Sequence, residues 1–222
     1  MECTKFTGRA NINLYCGDCN IAMSGMDAGR YDLAIVDPPY FKTGGDPTYY
    51  KPRCAKSASI KPITAGWKLP DKKYFTKLYE VSQNQIIWGC NYFSEFIPHP
   101  ARMVWHKETG GDFSDCEIAS YSKTKRVVYY RYRWNGMIQE NMKNKELRHH
   151  PTQKPVALYK WLLTNYAKPG DTILDTHGGS MSIAIAAWDL GFDLDLYELD
   201  KDYYRAGVER VRRHTAQMQL EI

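Results

Sequence analysis

The sequence predicts an α/β fold built on a doubly wound, mostly parallel sheet, and three observations carry that prediction. Short apolar runs of strand length alternate with longer stretches of helical spacing. The C-terminal part reads strand, glycine turn, helix, strand, helix. An earlier strand running up to Asp37 is followed by a helix and a further strand, so the chain supplies two Rossmann-like halves.

The elements follow in chain order. Ile12 to Cys16 and Leu33 to Val36 are strand-length apolar runs. Asp71 to Ser82 has helical spacing and leads into the run Gln85 to Trp88. Arg102 to Trp105 and Ile118 to Tyr121 are further strands. Pro155 to Ala167 is a helix with proline in its first turn, where a missing N–H costs nothing. Thr172 to Leu174 is a strand that Asp175 closes, and Gly178-Gly179-Ser180 turns the chain into a helix over 180–190. Leu194 to Tyr197 and a helix from Lys201 to His214 complete the pattern. Two segments interrupt it, 42–68 and 123–148. The first is too rich in Pro and Gly and too long for an ordinary connection.

At 222 residues the chain suits one domain with insertions. Its 43% hydrophobic and 25% charged residues exclude collagen-like, disordered and coiled-coil classes. No apolar run approaches the length of a membrane span, and the N-terminus carries no secretory h-region, so a cytoplasmic protein with no membrane partner is expected. The six cysteines are expected to remain thiols. Cys16 and Cys19 form a Cys-x-x-Cys pair with no matching second pair, and no metal is expected.

Three motifs carry chemistry. Asp37-Pro38-Pro39-Tyr40 follows a strand, where ligands of open α/β sheets bind. An aromatic amine is a poor nucleophile because its lone pair is delocalised into the ring. Asp37 and the carbonyl of Pro38 could accept its two N–H bonds and localise that pair. Pro39 would stiffen the turn, and Tyr40 would stack on a base. Asp175 to Ser180 offers glycines and free N–H groups at a helix start, and Glu198 ends the next strand, where an acid can accept from ribose hydroxyls. His150 to Pro155 reads His-Pro-Thr-Gln-Lys-Pro, with Lys154 placed to meet a carboxylate. Taken singly, each motif is also compatible with a packing turn or a helix cap.

Together and in this order, the three motifs resemble the DNA amino-methyltransferases that use S-adenosylmethionine, in the permuted β-class arrangement where the catalytic motif precedes the cofactor motif. Trp88 to Phe93, Val104 to Lys107 and Phe113 to Glu117 resemble the small phage-type members. The resemblance spans residues 17–198. It implies a class I methyltransferase fold with an antiparallel edge strand, DNA as partner and a homodimer. It makes Asp37, Pro38, Pro39 and Tyr40 the catalytic motif. It makes Asp18, Asp37, Thr152, Gln153, Lys154, Asp175, His177, Gly179, Ser180 and Glu198 the cofactor-binding set. The chain departs from the family pattern at Thr176 and His177, which replace Pro and Phe, at Met181 after the serine, and at Cys90, where Gly is common.

An Asp-led catalytic motif implies adenine N6 as the target, with cytosine N4 as the alternative and a DNA-binding pseudoenzyme as the rival from another class. Cytosine C5 chemistry is excluded, since no cysteine follows a proline. The net charge of +5 hides an uneven distribution. Segment 42–68 has six cations against one acid, and 123–148 has eight against two, so the remaining chain is net acidic. Lys42, Lys51, Arg53, Lys56, Lys125, Arg126, Arg131 and Arg133 are therefore the expected nucleic-acid contacts. Arg131 and Arg133 alternate with Tyr130, Tyr132 and Trp134, so a strand would face the cations one way and the aromatics the other, toward core or bases.

Overall fold

A computed structural model describes residues 1–40, 68–110, 114–135 and 138–218. The elements are β1 (Glu2–Phe6), β2 (Ile12–Cys16), α1 (Cys19–Ser24), β3 (Tyr31–Val36), α2 (Lys72–Val81), β4 (Ser82–Trp88), β5 (Arg102–His106), β6 (Cys116–Tyr121), β7 (Val127–Arg131), α3 (Val156–Tyr166), β8 (Thr172–Asp175), α4 (Ser182–Leu190), β9 (Asp193–Glu198) and α5 (Lys201–Met218). Among the described residues the strands form one sheet in the order β1-β2-β9-β8-β3-β4-β6-β5-β7.

The expected doubly wound, mostly parallel sheet is present. β2, β9, β8, β3 and β4 run parallel, as do β5 and β7. The expected antiparallel edge strand is β1, against β2. A second reversed strand, β6, lies inside the sheet between β4 and β5. Residues 107–115 join β5 to β6, a connection too short for the crossover that parallel neighbours require.

Period-two alternation buries both faces of the central strands, so β3 reads as a continuous apolar run. Leu33 and Ile35 pack on the α3–α4–α5 side with Ile86, Trp88 and Leu162, while Ala34 and Val36 pack on the α2 side with Phe75, Leu78 and Leu174. β3 and β8 are neighbours, yet the chain leaves β3 through α2 toward β4 and leaves β8 through α4 toward β9. The winding therefore reverses between β3 and β8, and that boundary positions the site.

Candidate active site

Acids close four neighbouring strands at one end of the sheet: Asp18 after β2, Glu198 on β9, Asp175 on β8 and Asp37 after β3. Asp175 and Asp37 flank the switch point. Asp175 Oδ1 accepts from the His177 N–H at 2.9 Å, while burial pushes the carboxyl up to about 8, with repulsion from Asp37 and Glu198 adding to it. Glu198 accepts from the Gly179 N–H at 2.7 Å and the Asp200 N–H at 2.8 Å, and burial raises it to about 7. Asp18 caps α1 by accepting from the Asn20 N–H at 2.8 Å.

The unusual residues of the glycine turn are tied to their neighbours. Thr176 Oγ1 bonds the Tyr74 hydroxyl of α2 at 2.7 Å and His177 Nδ1 at 2.9 Å. The His177 ring meets Tyr74 edge-on, 5.5 Å between centroids, and burial pushes it down to about 4, so it is a neutral ring at pH 7. Met181 is fully buried in left-handed backbone, φ 57°, against Gly207 of α5. Ser180 Oγ bonds Ser182 Oγ at 3.0 Å, and its carbonyl accepts from Arg210 at 2.7 Å, so its polar groups serve the turn itself.

In the Asp37–Tyr40 tetrapeptide, the Asp37 carboxylate accepts from both the Tyr40 hydroxyl and the Lys154 ammonium. Lys154 also donates to the Tyr40 hydroxyl at 3.2 Å and pairs with Glu117 at 3.0 Å. Burial raises the Asp37 carboxyl; Lys154 opposes that shift and Glu117 adds to it. Burial works against the Lys154 ammonium, but Asp37 and Glu117 together raise it. Tyr40 stacks on Tyr92, 5.2 Å between centroids and 9° apart, with the edge of Phe93 at 6.2 Å. Gly89, at φ 67°, makes room for that ring: a Cβ there would stand 2.0 Å from Tyr40 Cε1. Pro38 is buried and Pro39 half-buried.

The segment before α3 divides its roles. Lys154 enters the site. Gln153 does not: its Oε1 accepts from the His149 N–H at 2.7 Å, its Nε2 donates to the Leu147 carbonyl at 3.2 Å, and its own carbonyl accepts from Trp134 Nε1 at 2.8 Å. Thr152 is exposed, with Oγ1 3.1 Å from His150 Nδ1, and the buried His150 ring packs on Tyr203 beside Gly179.

Of the expected nucleic-acid contacts, Lys42, Lys51, Arg53 and Lys56 lie outside the described residues. Lys125 and Arg126 are exposed before β7. Arg131 and Arg133 face outward, but both pair with Glu108, at 2.9 and 3.1 Å, and Arg131 also reaches Glu140. Their charge is thus partly neutralised. The aromatic face is core: Tyr130 stacks on Trp161 at 4.6 Å, and Trp134 is buried.

Lys107, Glu117 and Arg210 join the site without a role expected from the sequence. Lys107 pairs with Glu117 at 3.1 Å, extending the Asp37–Lys154 contact into a chain of alternating charge. A single charged residue within β6 is the signal that could have marked Glu117.

A family model described as DNA methylase, of the N6/N4 type, matches residues 67–209. The chain is 24% identical to the protein YubD of Escherichia coli (strain K12) over 213 residues, 88% of each chain. Among solved structures, the M1.HpyAVI–SAM complex aligns with TM-score 0.54 at 18% identity, covering 90% of this chain and 99% of the other. The PvuII DNA methyltransferase (cytosine-N4-specific) aligns with TM-score 0.58 at 12% identity, covering 93% and 91%.

Proposed function

Because the chain belongs to the DNA methylase family of the N6/N4 type, we propose that it transfers a methyl group from S-adenosylmethionine to the exocyclic N6 amine of adenine in DNA, the base being flipped out of the helix. One observation carries this reading. Asp37 and Asp175 end adjacent parallel strands on either side of the switch point, so the catalytic tetrapeptide and the glycine turn open on one crevice.

The residues present fit the cofactor. Each Glu198 oxygen accepts one backbone N–H and keeps a lone pair for a ribose hydroxyl. Four acids along one sheet edge suit a nucleoside carrying ammonium and sulfonium charge, and they disfavour the pyrophosphate of a dinucleotide. S-adenosylmethionine, when bound, supplies an electrophilic methyl group. Asp18, Asp175, His177, Gly179 and Glu198 are the residues proposed to hold it, with Thr152 and Lys154 toward its methionine end.

Asp37 accepts from the target amine in competition with the Tyr40 hydroxyl and takes up the proton released after transfer. The Pro38 carbonyl is the second acceptor. Catalysis is mainly positioning together with preorganised electrostatics. Tyr40, braced by Tyr92 and Gly89, borders the place of the extruded base. The chain acts as one methyltransferase domain, with 42–68 and 123–148 as its DNA-contacting segments and a homodimer as its assembly.

The test is methylation of unmodified DNA with labelled cofactor, digestion to nucleosides and identification of the labelled base. N6-methyladenine is expected, together with loss of turnover but retained cofactor binding in Asp37→Ala. N4-methylcytosine would overturn the choice of base. Near-native turnover by Asp37→Ala would overturn the catalytic assignment, and no cofactor binding at all would favour a pseudoenzyme.

A further inference from the structure

Four buried or largely buried side chains from four parts of the fold alternate in charge: Asp37 after β3, Lys154 before α3, Glu117 on β6 and Lys107 after β5. Lys154 bridges two carboxylates, and Glu117 bridges two ammonium groups at 3.0 and 3.1 Å. Resting on the methyl-transfer reading above, we propose that Glu117 is a positioning residue for Asp37. It draws part of the Lys154 charge away from the catalytic carboxylate, and Lys107 limits how strongly it does so.

The chemistry requires such a division. A carboxylate fully committed to one lysine is a poor acceptor for an incoming amine. A buried carboxylate with no cation would be protonated and could not accept the N–H bonds at all. Glu117 holds the second share of Lys154, so Asp37 stays ionised with acceptor capacity left over.

The other titratable groups facing Asp37 leave this balance to the lysines and Glu117. Tyr40, Tyr74 on α2 and Tyr159 on α3 are buried phenols raised well above their ordinary range, so they are neutral. Asp175 on β8 is pushed up to about 8 by burial and is largely protonated at pH 7.

Two substitutions pull the balance in opposite directions. Glu117→Gln removes a negative neighbour and releases Lys154 to Asp37, so the Asp37 midpoint falls by about one pH unit and kcat falls with it. Lys107→Gln leaves Glu117 with Lys154 alone, draws that lysine away from Asp37 and raises the midpoint. The measurement is carboxyl ¹³C NMR titration of the cofactor-free protein, with the Asp37 signal identified by its loss in Asp37→Asn. It is paired with the acid limb of the kcat/KM profile for DNA.

Opposite shifts in the two variants, mirrored in the acid limbs, are expected. Midpoints that stay put or move the same way, in a wild-type chain that methylates DNA, overturn the role of Glu117 alone. A wild-type chain that methylates no DNA overturns the proposed reaction and this role with it. A general loss of packing would move melting temperature in both variants without opposing their midpoints.

Discussion

Arg210 of α5 closes a buried ion pair with Glu146, 64 residues earlier in the chain, at 3.0 Å. The same guanidinium donates to the Ser180 carbonyl at 2.7 Å and to Ser182 Oγ at 2.9 Å, while the other Glu146 oxygen accepts from the first N–H of α3, at Val156, at 3.0 Å. One pair therefore fixes the glycine turn to the segment that delivers Lys154. Replacing a single member leaves the other charge buried without a counter-charge, which costs about 3–5 kcal/mol. Arg210→Met is expected to lower stability by that order in urea denaturation and to weaken cofactor binding. Adding Glu146→Gln should recover part of the stability, and a double variant no better than the single one would mean that the pair is not coupled.

The acids of the sheet edge are legible in the sequence for a physical reason. Asp37, Asp175 and Glu198 each end an apolar run, and the carboxyl ends of parallel strands converge on one edge. Lys107 and Glu117 are not legible in the same way. Their meeting depends on the antiparallel register that sets Trp105 opposite Glu117, and strand spacing along the chain does not reveal register. β1 also escapes the apolar pattern because it is a mostly exposed edge strand of sequence ECTKF, covered on one side by β2 alone. The double role of the cationic-aromatic stretch resolves through Tyr130 and Trp161, a contact between β7 and α3 that no local pattern encodes.

Met181 and Gly207 compensate one another. A Cβ on Gly207 would lie 2.5 Å from the Met181 sulfur and 2.6 Å from its Cγ, and Met181 is fully buried, so its side chain would have to shift within the core. Gly207→Ala should therefore destabilise by about 1–3 kcal/mol through overpacking. Combining it with Met181→Gly, which relieves the left-handed backbone and empties the space, should lose less than the two single losses summed. Additive losses in a double-mutant cycle of urea midpoints would show that the two sites do not touch energetically.

A side chain at Gly89 should affect chemistry more than folding. Its φ of 67° and the 2.0 Å approach of Tyr40 Cε1 to any added Cβ mean that Gly89→Ala must push the Tyr40 ring from Tyr92. Tyr40 carries the hydroxyl bonded to Asp37, so the displacement reaches the carboxylate proposed to be catalytic. A fall in kcat of at least tenfold is expected, with cofactor affinity within about twofold of wild type; misplacement by even an ångström can cost more than that. Equal losses in both quantities would point to collapse of the whole edge.

Stability should fall as pH rises from 7 to 8. Asp175 and Glu198, raised by burial to about 8 and about 7, bind more protons folded than unfolded, so their contribution is full below the ordinary carboxylate range and is lost as pH climbs through those values. His149, His150 and His177 are pushed down by burial and act in the opposite sense, but only below their ordinary range near 6.5. Melting curves across pH 7–8 check the direction. A cationic cofactor should favour the ionised acids and release protons on binding near pH 7, read by calorimetry in two buffers of different ionisation heat. Proton uptake would contradict a cationic ligand at this edge.

Glu108 pairs with Arg131 and Arg133, the two cations for which a DNA contact is proposed. It stands in left-handed backbone, φ 51°, and both arginines hold its carboxyl below the ordinary range, Arg131 most strongly through its hydrogen bonds. Phosphate oxygens would have to displace that carboxylate before using either cation. Glu108→Gln removes the competitor without removing the arginines, so DNA binding should tighten at low salt. The slope of log affinity against log salt should become steeper by about one for each arginine that gains a phosphate. An unchanged slope would place Arg131 and Arg133 away from the DNA and leave Lys125, Arg126 and the 42–68 segment to carry the contact.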